Sequence, residues 1–192
     1  MLTVCSDTHG TESARLTGRT QEAVDAADVV VHAGDFTTET VLDEFRDRAT
    51  RLVAVHGNAD TPAVQDRLPE AATATYGGVR LAVTHTQRGG ATALSMFGRQ
   101  RGAALVVSGH THRPTVDSSA SAPTLLNPGS YADPRGHRAA HAELWAPGTE
   151  TVPDALQQDV AAETALVGAL RSPEGERLGR IHVPAAGGVE SE

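Results

Sequence analysis

The sequence predicts an α/β (α+β) chain, parallel in its first half and more antiparallel in its second, and three observations carry that prediction. Short runs of branched apolar residues at 2–5, 28–32 and 51–55 alternate with helix-like stretches, the order of a β-α-β-α-β unit. Gly77-Gly78 divides two further strand-like runs in the way a tight hairpin does. Each buried-type strand is followed at once by Asp, His or Asn, at the place where open α/β sheets bind their ligands.

The first strand, 2–5, ends in Ser6-Asp7-Thr8-His9-Gly10. A helix over 20–27 precedes the second strand, 28–32, which exits through Ala33-Gly34-Asp35. Val41, Leu42 and Phe45 recur at helical spacing within 38–50. The third strand, 51–55, runs into His56-Gly57-Asn58-Ala59-Asp60, and Thr61-Pro62 then reads as a cap with proline at the first helical position. Strands at 73–76 and 79–84 flank the glycine pair, and the second ends in Thr84-His85-Thr86. A helix over 91–100 leads to a buried strand at 104–108 and on to Gly109-His110-Thr111-His112, where Gly109 permits a sharp turn. Shorter strands are expected around 115–116, 123–126 and 139–145, with Asn127-Pro128-Gly129-Ser130 as a structural turn.

From Pro153 the pattern changes, so the chain divides into a main domain, 1–152, and a C-terminal helical extension and tail, 153–192. In that extension an amphipathic helix over 154–171 would present Leu156, Val160, Val167 and Leu170 on one face. Ser172-Pro173-Glu174-Gly175 breaks it, and residues 187–192 read as frayed.

A chain of 192 residues can bury one sizeable core. No apolar run approaches the roughly 20 residues of a membrane-spanning helix. The chain enters structure at Leu2 without a basic leader, so a cytoplasmic location and no membrane partner are expected. The single Cys5 has no internal disulfide partner and reads as a buried strand residue in a reducing compartment. A net charge of −8 argues against nucleic acid as a partner. All 16 basic residues are arginine, which fits either GC-rich coding or an acidic, lysine-poor surface for high salt.

In extended backbone, residues i and i+2 face the same way, so Asp7 with His9, and His110 with His112, can each address one pocket. Right-handed crossovers bring the strand exits to one edge. Asp7, His9, Asp35, Asn58, His85, His110 and His112 then offer seven oxygen and imidazole donors, more than a tetrahedral zinc site holds. They suit two divalent ions roughly 3.5–4 Å apart that share a carboxylate. Mixed imidazole and carboxylate donors favour first-row transition metals over magnesium or calcium. Two dications balanced by Asp7, Asp35 and a hydroxide leave a centre of about +1, which suits an anionic phosphoester. Arg113, Arg135 and Tyr131 are candidates for substrate contact, and Asp60 for a supporting hydrogen bond or a helix cap. His32 and His56 read as packing or supporting residues, and His137, His141 and His182 as surface.

Ser6-Asp7-Thr8-His9, Gly34-Asp35, Gly57-Asn58-Ala59-Asp60, Thr84-His85 and Gly109-His110-Thr111-His112 together resemble the ordered motifs of the calcineurin-like metallophosphoesterases. Within that superfamily the chain is similar to the small prokaryotic phosphodiesterases, which also carry a sequence like Asn127-Pro128-Gly129-Ser130. The resemblance covers about residues 1–150. It implies a four-layer α-β-β-α sandwich, two mixed sheets flanked by helices, with the metal site at the strand exits. It implies one metal held by Asp7, His9, Asp35 and His112, and a second by Asp35, Asn58, His85 and His110, with Asp35 bridging. Manganese is the first expectation for both ions, with nickel, iron or zinc as alternatives.

The activity implied is hydrolysis of a small phosphoester, chiefly a diester, by a metal-bridging hydroxide, with Asp35, Asn58 and His85 at the reacting centre. Two positions depart from the common pattern. Ala59 stands where many members have a histidine that assists the leaving group, although the small phosphodiesterases often lack it too. Thr86 stands where glycine is frequent. A reading from another class uses the same fold as a protein-interaction scaffold with vestigial metal binding, as the retromer subunit of this fold does. Homo-oligomers are compatible with either.

Overall fold

The computed structural model describes residues 1–118, 123–149, 152–158, 160 and 163–185. One mixed sheet contains β1 (Leu2–Cys5), β2 (Val29–His32), β3 (Leu52–Ala54), β9 (His141–Trp145), β10 (Thr164–Arg171) and β11 (Arg177–Pro184), in the order β11-β10-β9-β1-β2-β3. The other contains β4 (Ala71–Tyr76), β5 (Val79–Thr84), β6 (Leu105–Val107), β7 (Thr115–Asp117) and β8 (Thr124–Asn127), in the order β4-β5-β6-β8-β7. β1, β2 and β3 are mutually parallel, as are β5, β6 and β8; the remaining neighbours are antiparallel.

Alternation along each strand builds the layers. Leu2, Val4, Val29 and Val31 point inward and share one core with Val79, Leu81, Val83, Leu105 and Val107 of the second sheet. The intervening residues point outward. Cys5, Val30 and Ala54 pack under Val24 of α1 (Gly18–Asp25) and Val41, Leu42 and Phe45 of α2 (Glu39–Arg48). On the far side Ala82 and Val106 pack under Phe97 of α4 (Gly90–Gln100). The result is the four-layer α-β-β-α arrangement that the resemblance implies. Burial pushes the Cys5 thiol well above its ordinary pKa, which keeps it an inert core residue. A short α3 (Pro62–Gln65) begins, as expected, at Thr61 with proline in its first turn.

The C-terminal extension corrects the sequence reading. Instead of a helix over 154–171 there is one short turn of helix, α5 (Asp154–Gln157), followed by the strand pair β10 and β11. These strands extend the first sheet through β9, so residues 164–184 are part of the main fold and no separate extension. The run from Thr164 to Leu170 is apolar at nearly every position, so helical and strand templates fit it equally well. Burial on both faces decides: Leu166 and Leu170 enter the inter-sheet core, while Val167 and Ala169 pack on Trp145 and Leu156. Ser172-Pro173-Glu174-Gly175 forms the hairpin turn, with the Ser172 N–H donating to the Glu176 carbonyl at 2.9 Å. The frayed tail expected at 187–192 lies outside the described residues.

His141, expected at the surface, is fully buried beside Glu143, also fully buried. Arg19, at the start of α1, grips both Glu143 oxygens at 2.7 Å, and the His141 Nε2–H donates to Glu143 Oε1 at 3.0 Å. Thr20 donates to His141 Nδ1 at 2.9 Å, so the network ties α1 to β9. Burial pushes the Glu143 carboxyl up, but His141 and Arg19 outweigh it and hold the pKa at about 2. Breaking a buried pair by removing one partner costs about 3–5 kcal/mol. Arg19 is one-third exposed, so Glu143→Gln should cost about 3 kcal/mol in urea unfolding, the low end of that range. Because the folded pKa lies below the ordinary 4.5, this contribution is full above pH 4.5 and fades as pH falls towards 2. A wild-type-to-variant gap that is unchanged across that window would contradict the assignment.

Candidate metal centre

The parallel strands β1, β2, β3, β5 and β6 all end on the same side of the molecule, and the seven expected donors follow them. The exits stay paired past the strands: the Asp7 N–H donates to the Gly34 carbonyl and the His9 N–H to the Asp35 carbonyl, each at 3.0 Å. To turn their side chains to one point, five donor residues adopt left-handed backbone: Asp7 (φ 54°), His9 (47°), Asp35 (61°), His110 (73°) and His112 (57°). Such conformations cost a side-chain-bearing residue roughly 1–3 kcal/mol and cluster where surrounding structure enforces them. Two glycines are needed for close approach. A Cβ on Gly57 would lie 2.1 Å from Asp35 Oδ1, and one on Gly109 would lie 1.9 Å from Ser6 Oγ.

Two chains of contacts result. In one, His9 Nε2 lies 3.2 Å from His112 Nε2 and 3.4 Å from Asp35 Oδ2, and His112 Nε2 lies 3.5 Å from Asp7 Oδ1. In the other, His85 Nε2 lies 3.3 Å from Asp35 Oδ2 and 3.1 Å from Asn58 Oδ1, which is 2.8 Å from His110 Nδ1. Asp35 Oδ2 belongs to both. Asp7 also sits close to both: it clusters with His9 and His112, and with Asp35 and His85. Asp7, Asp35, His85 and His112 are buried, His9 is half-buried, and Asn58 and His110 open the centre to solvent.

The hydrogen bonds behind the imidazoles fix what their inner nitrogens present. His85 Nδ1–H donates to the Ala33 carbonyl at 2.8 Å, and His112 Nδ1–H donates to the Asp133 carbonyl. A carbonyl only accepts, so both rings turn an Nε2 lone pair inward, towards carboxylate oxygens and another imidazole nitrogen. A cation placed between these atoms, which lie 3.1–3.5 Å apart, satisfies them together. Protonation alone resolves the conflict locally. Burial lowers the His85 pKa but contact with Asp35 outweighs it and raises it, while burial lowers that of His9. Burial pushes Asp7 up despite the Ser6 hydroxyl bond at 2.7 Å, whereas for Asp35 the bond with His85 outweighs burial and holds it down. Two buried carboxylates ringed by four imidazoles and one amide fit divalent metals, and the residues present suit them.

A second tier of residues holds the donors. Asp60 accepts from the Asp35 N–H (3.1 Å), the Gly57 N–H (2.7 Å) and the Thr37 N–H (2.7 Å), which is the supporting role expected for it. Asn127 and Ser130, expected as plain turn residues, are site residues that sequence reasoning missed. Asn127 Nδ2 donates to the Gly109 carbonyl at 2.7 Å and to Thr111 Oγ1 at 3.0 Å, and Ser130 donates to the Asp7 carbonyl at 2.7 Å. The signal was present: Asn127 ends β8, which is parallel to β6 and exits at the same edge. His32 is fully buried against Phe36 and Phe45, and burial depresses its pKa to about 3. It therefore stays neutral, accepting from the Gly34 N–H at 3.3 Å and donating to Thr8 at 2.9 Å. Thr8 passes the chain to Tyr131 (3.3 Å), which donates to the Ala14 carbonyl at 2.5 Å.

Tyr131 is consequently buried and committed, which corrects its expected place among substrate contacts. Arg135, by contrast, is exposed and brings Nη2 to 3.3 Å from His9 Nε2, aimed by a 3.0 Å bond from its Nε to Asp133. Arg113 is exposed, with only its backbone N–H tied, at 3.4 Å, to Thr111 Oγ1 among its described hydrogen bonds. His56 is half-buried beside Gly57, His137 is exposed, and His182 is half-buried with Nε2 2.8 Å from Thr164 Oγ1. A cleft of about 630 Å³ opens from Asn58 and His85 along α4.

Residues 1–145 match the calcineurin-like phosphoesterase superfamily domain. The chain is 33% identical over 140 residues to a probable metallophosphoesterase of Methanocaldococcus jannaschii, covering 70% of each. Its fold matches Vps29 of Entamoeba histolytica in complex with zinc (TM-score 0.65, 18% identity, 95% of this chain and 98% of that one). It also matches an archaeal phosphodiesterase (TM-score 0.57, 17% identity, 73% and 90%). With the motif set, the strand-exit geometry and these likenesses in agreement, the chain belongs to the calcineurin-like phosphoesterase superfamily.

Proposed function

We propose that this protein is a two-metal hydrolase of small phosphodiesters. The observation that supports it most directly is the meeting of two donor sets at Asp35 Oδ2, between His9 Nε2 and His85 Nε2. On this reading Asp7, His9, Asp35 and His112 hold one cation, and Asp35, Asn58, His85 and His110 the other. Bound there, the cations supply Lewis acidity towards phosphoryl oxygens and lower the pKa of a water to make a nucleophile. The side chains do the rest: Asp35 fixes the spacing, while Asn58 and His110 leave the solvent face open for the ester. Arg135 brings a guanidinium to the rim of the centre beside His9, where it would pair with an anionic oxygen of the ester and orient the phosphoryl group. Manganese is the cation proposed for this mixed nitrogen–oxygen set, and the cytoplasm the compartment. No helix among the described residues is long and apolar enough to cross a membrane.

The other reading, a protein-interaction scaffold with vestigial metal binding, has the fold likeness to Vps29 in its favour. The complete donor set, with both back nitrogens already bonded, favours the enzyme.

Asp35→Asn removes the charge shared by both sets and should abolish manganese retention and hydrolysis of bis(p-nitrophenyl) phosphate together. Its loss should exceed the roughly 10–100-fold that removing an outer hydrogen-bond partner costs, the effect expected of Asp60→Asn. An Asp35→Asn protein that keeps two metals and its turnover would refute the assignment.

Ala59 lends its backbone N–H to Asp35 Oδ1 at 2.8 Å, but its methyl group has no proton for a departing alkoxide. Aryl esters should therefore turn over far faster than alkyl esters, and Ala59→His should narrow that gap. Comparable kcat on both classes in the wild type would defeat this account.

A further inference from the structure

Beyond Asn58 and His85 at its mouth, the cleft is lined by side chains that hold no cation and have a distinct character. Gly98 lets α4 settle onto the second sheet, where an added Cβ would lie 2.4 Å from Val106 and 2.9 Å from Pro123. That close approach fixes α4 beside the centre, so Ala93, Met96 and Gln100 form one wall of the cleft. Gln65 of α3 and Gln87 beyond β5 also line it, next to His85. Met96 is 55% exposed and is, with Val160, one of two large apolar side chains so exposed among the described residues. Two of the amides are anchored: Gln65 Nε2 donates to the Asp60 carbonyl at 2.8 Å, and Gln87 Nε2 donates to Thr84 Oγ1 at 3.1 Å. The volume, about 630 Å³, falls within the roughly 300–1,000 Å³ of small-molecule sites. Its charged lining residues, Glu70 and Arg101, are of opposite sign, and Arg101 lies 3.8 Å over the Phe97 ring.

We infer that this cleft binds one ester arm of the substrate, and that the arm is an uncharged heteroaromatic group with hydrogen-bonding edges, the chemistry of a nucleobase. A thioether favours an aromatic ring against it. Side-chain amides held in place offer directional partners to ring nitrogens and carbonyls, and charges of opposite sign leave the cleft no net preference for an ionic arm. The inference rests on the proposed phosphodiesterase reading and specifies its substrate.

Three diesters with a common p-nitrophenolate leaving group test it: the methyl, phenyl and thymidine 5′ esters of p-nitrophenyl phosphate, assayed with manganese. The thymidine ester should exceed the methyl ester in kcat/KM by at least tenfold, mostly through KM, with the phenyl ester between. Met96→Glu, at an exposed position, should collapse that ratio towards one by raising KM for the thymidine and phenyl esters. A thymidine ester no better than the phenyl ester, or a variant that slows all three alike, overturns the inference. Binding is read separately with thymidine alone on metal-free protein, following the methyl resonance of Met96, one of only two methionines. A saturable shift without hydrolysis of any ester sinks the phosphodiesterase reading and leaves the cleft's specificity standing. Hydrolysis with no shift and no arm preference sinks the specificity alone, and absence of both sinks the two together.

Discussion

At the ends of five parallel strands, lone pairs are forced to face one another. His112 Nε2 looks at His9 Nε2 and Asp7 Oδ1, and His85 Nε2 looks at Asp35 Oδ2 and Asn58 Oδ1, all within 3.5 Å. For His85 and His112 the main-chain carbonyls of Ala33 and Asp133 remove the escape of a tautomer change, because each already takes the proton of the ring's other nitrogen. An arrangement of this kind is unstable by itself and has to be held by the scaffold. Most of the local structure follows from that requirement. Asp60 locks two exits together through backbone amides, Asn127 braces the His-Thr-His loop, and Ser130 fixes the carbonyl of Asp7.

The cost is visible in the backbone. Five donor residues in the left-handed region, at roughly 1 kcal/mol or more each, amount to a sizeable share of the ~5–15 kcal/mol that stabilises an ordinary domain. The two-sheet core offsets this, since its inward residues from Leu2 to Val183 are almost all fully buried. So does the buried Arg19–Glu143–His141 network, which lies on the outer face of the first sheet, apart from the seven donors. Rigidity at that face and conflict at the strand exits are complementary halves of one design.

Much of this was legible in the sequence because short apolar runs mark buried strands whatever packs on them. Those runs located β1, β2, β5 and β6, and the polar residue after each strand marked the functional edge. Asp7, His9, Asp35, Asn58, His85, His110 and His112 could be picked out because each follows a strand whose ends are unmistakable. Where signals are degenerate, reading failed. The stretch from Thr164 to Leu170 is apolar at both periods, and only the partner strand β9 selects between them. Tyr131 follows a polar motif but points into the interior, and His141 opens β9 with its ring buried; nothing in the sequence marks which way either side chain turns. The left-handed conformations could not be foreseen either: Asp and His enter that region more often than most residues, but only in a small minority of cases, so their presence does not mark it.

The geometry also bears on the choice between enzyme and scaffold. A protein that only offers its surface to a partner gains nothing from buried imidazole nitrogens aimed at carboxylates. Replacing either set with apolar residues would relieve desolvation and free the backbone to relax. Nor would a scaffold require the opening to fall at Asn58 and His110, with Arg135 beside His9 on one flank and an amide-lined cleft on the other. Concave access, an oriented guanidinium and a strained donor cluster answer three separate needs of a reacting anion: entry, alignment and charge compensation. A docking platform has none of these needs, and their coincidence at one strand edge favours chemistry there.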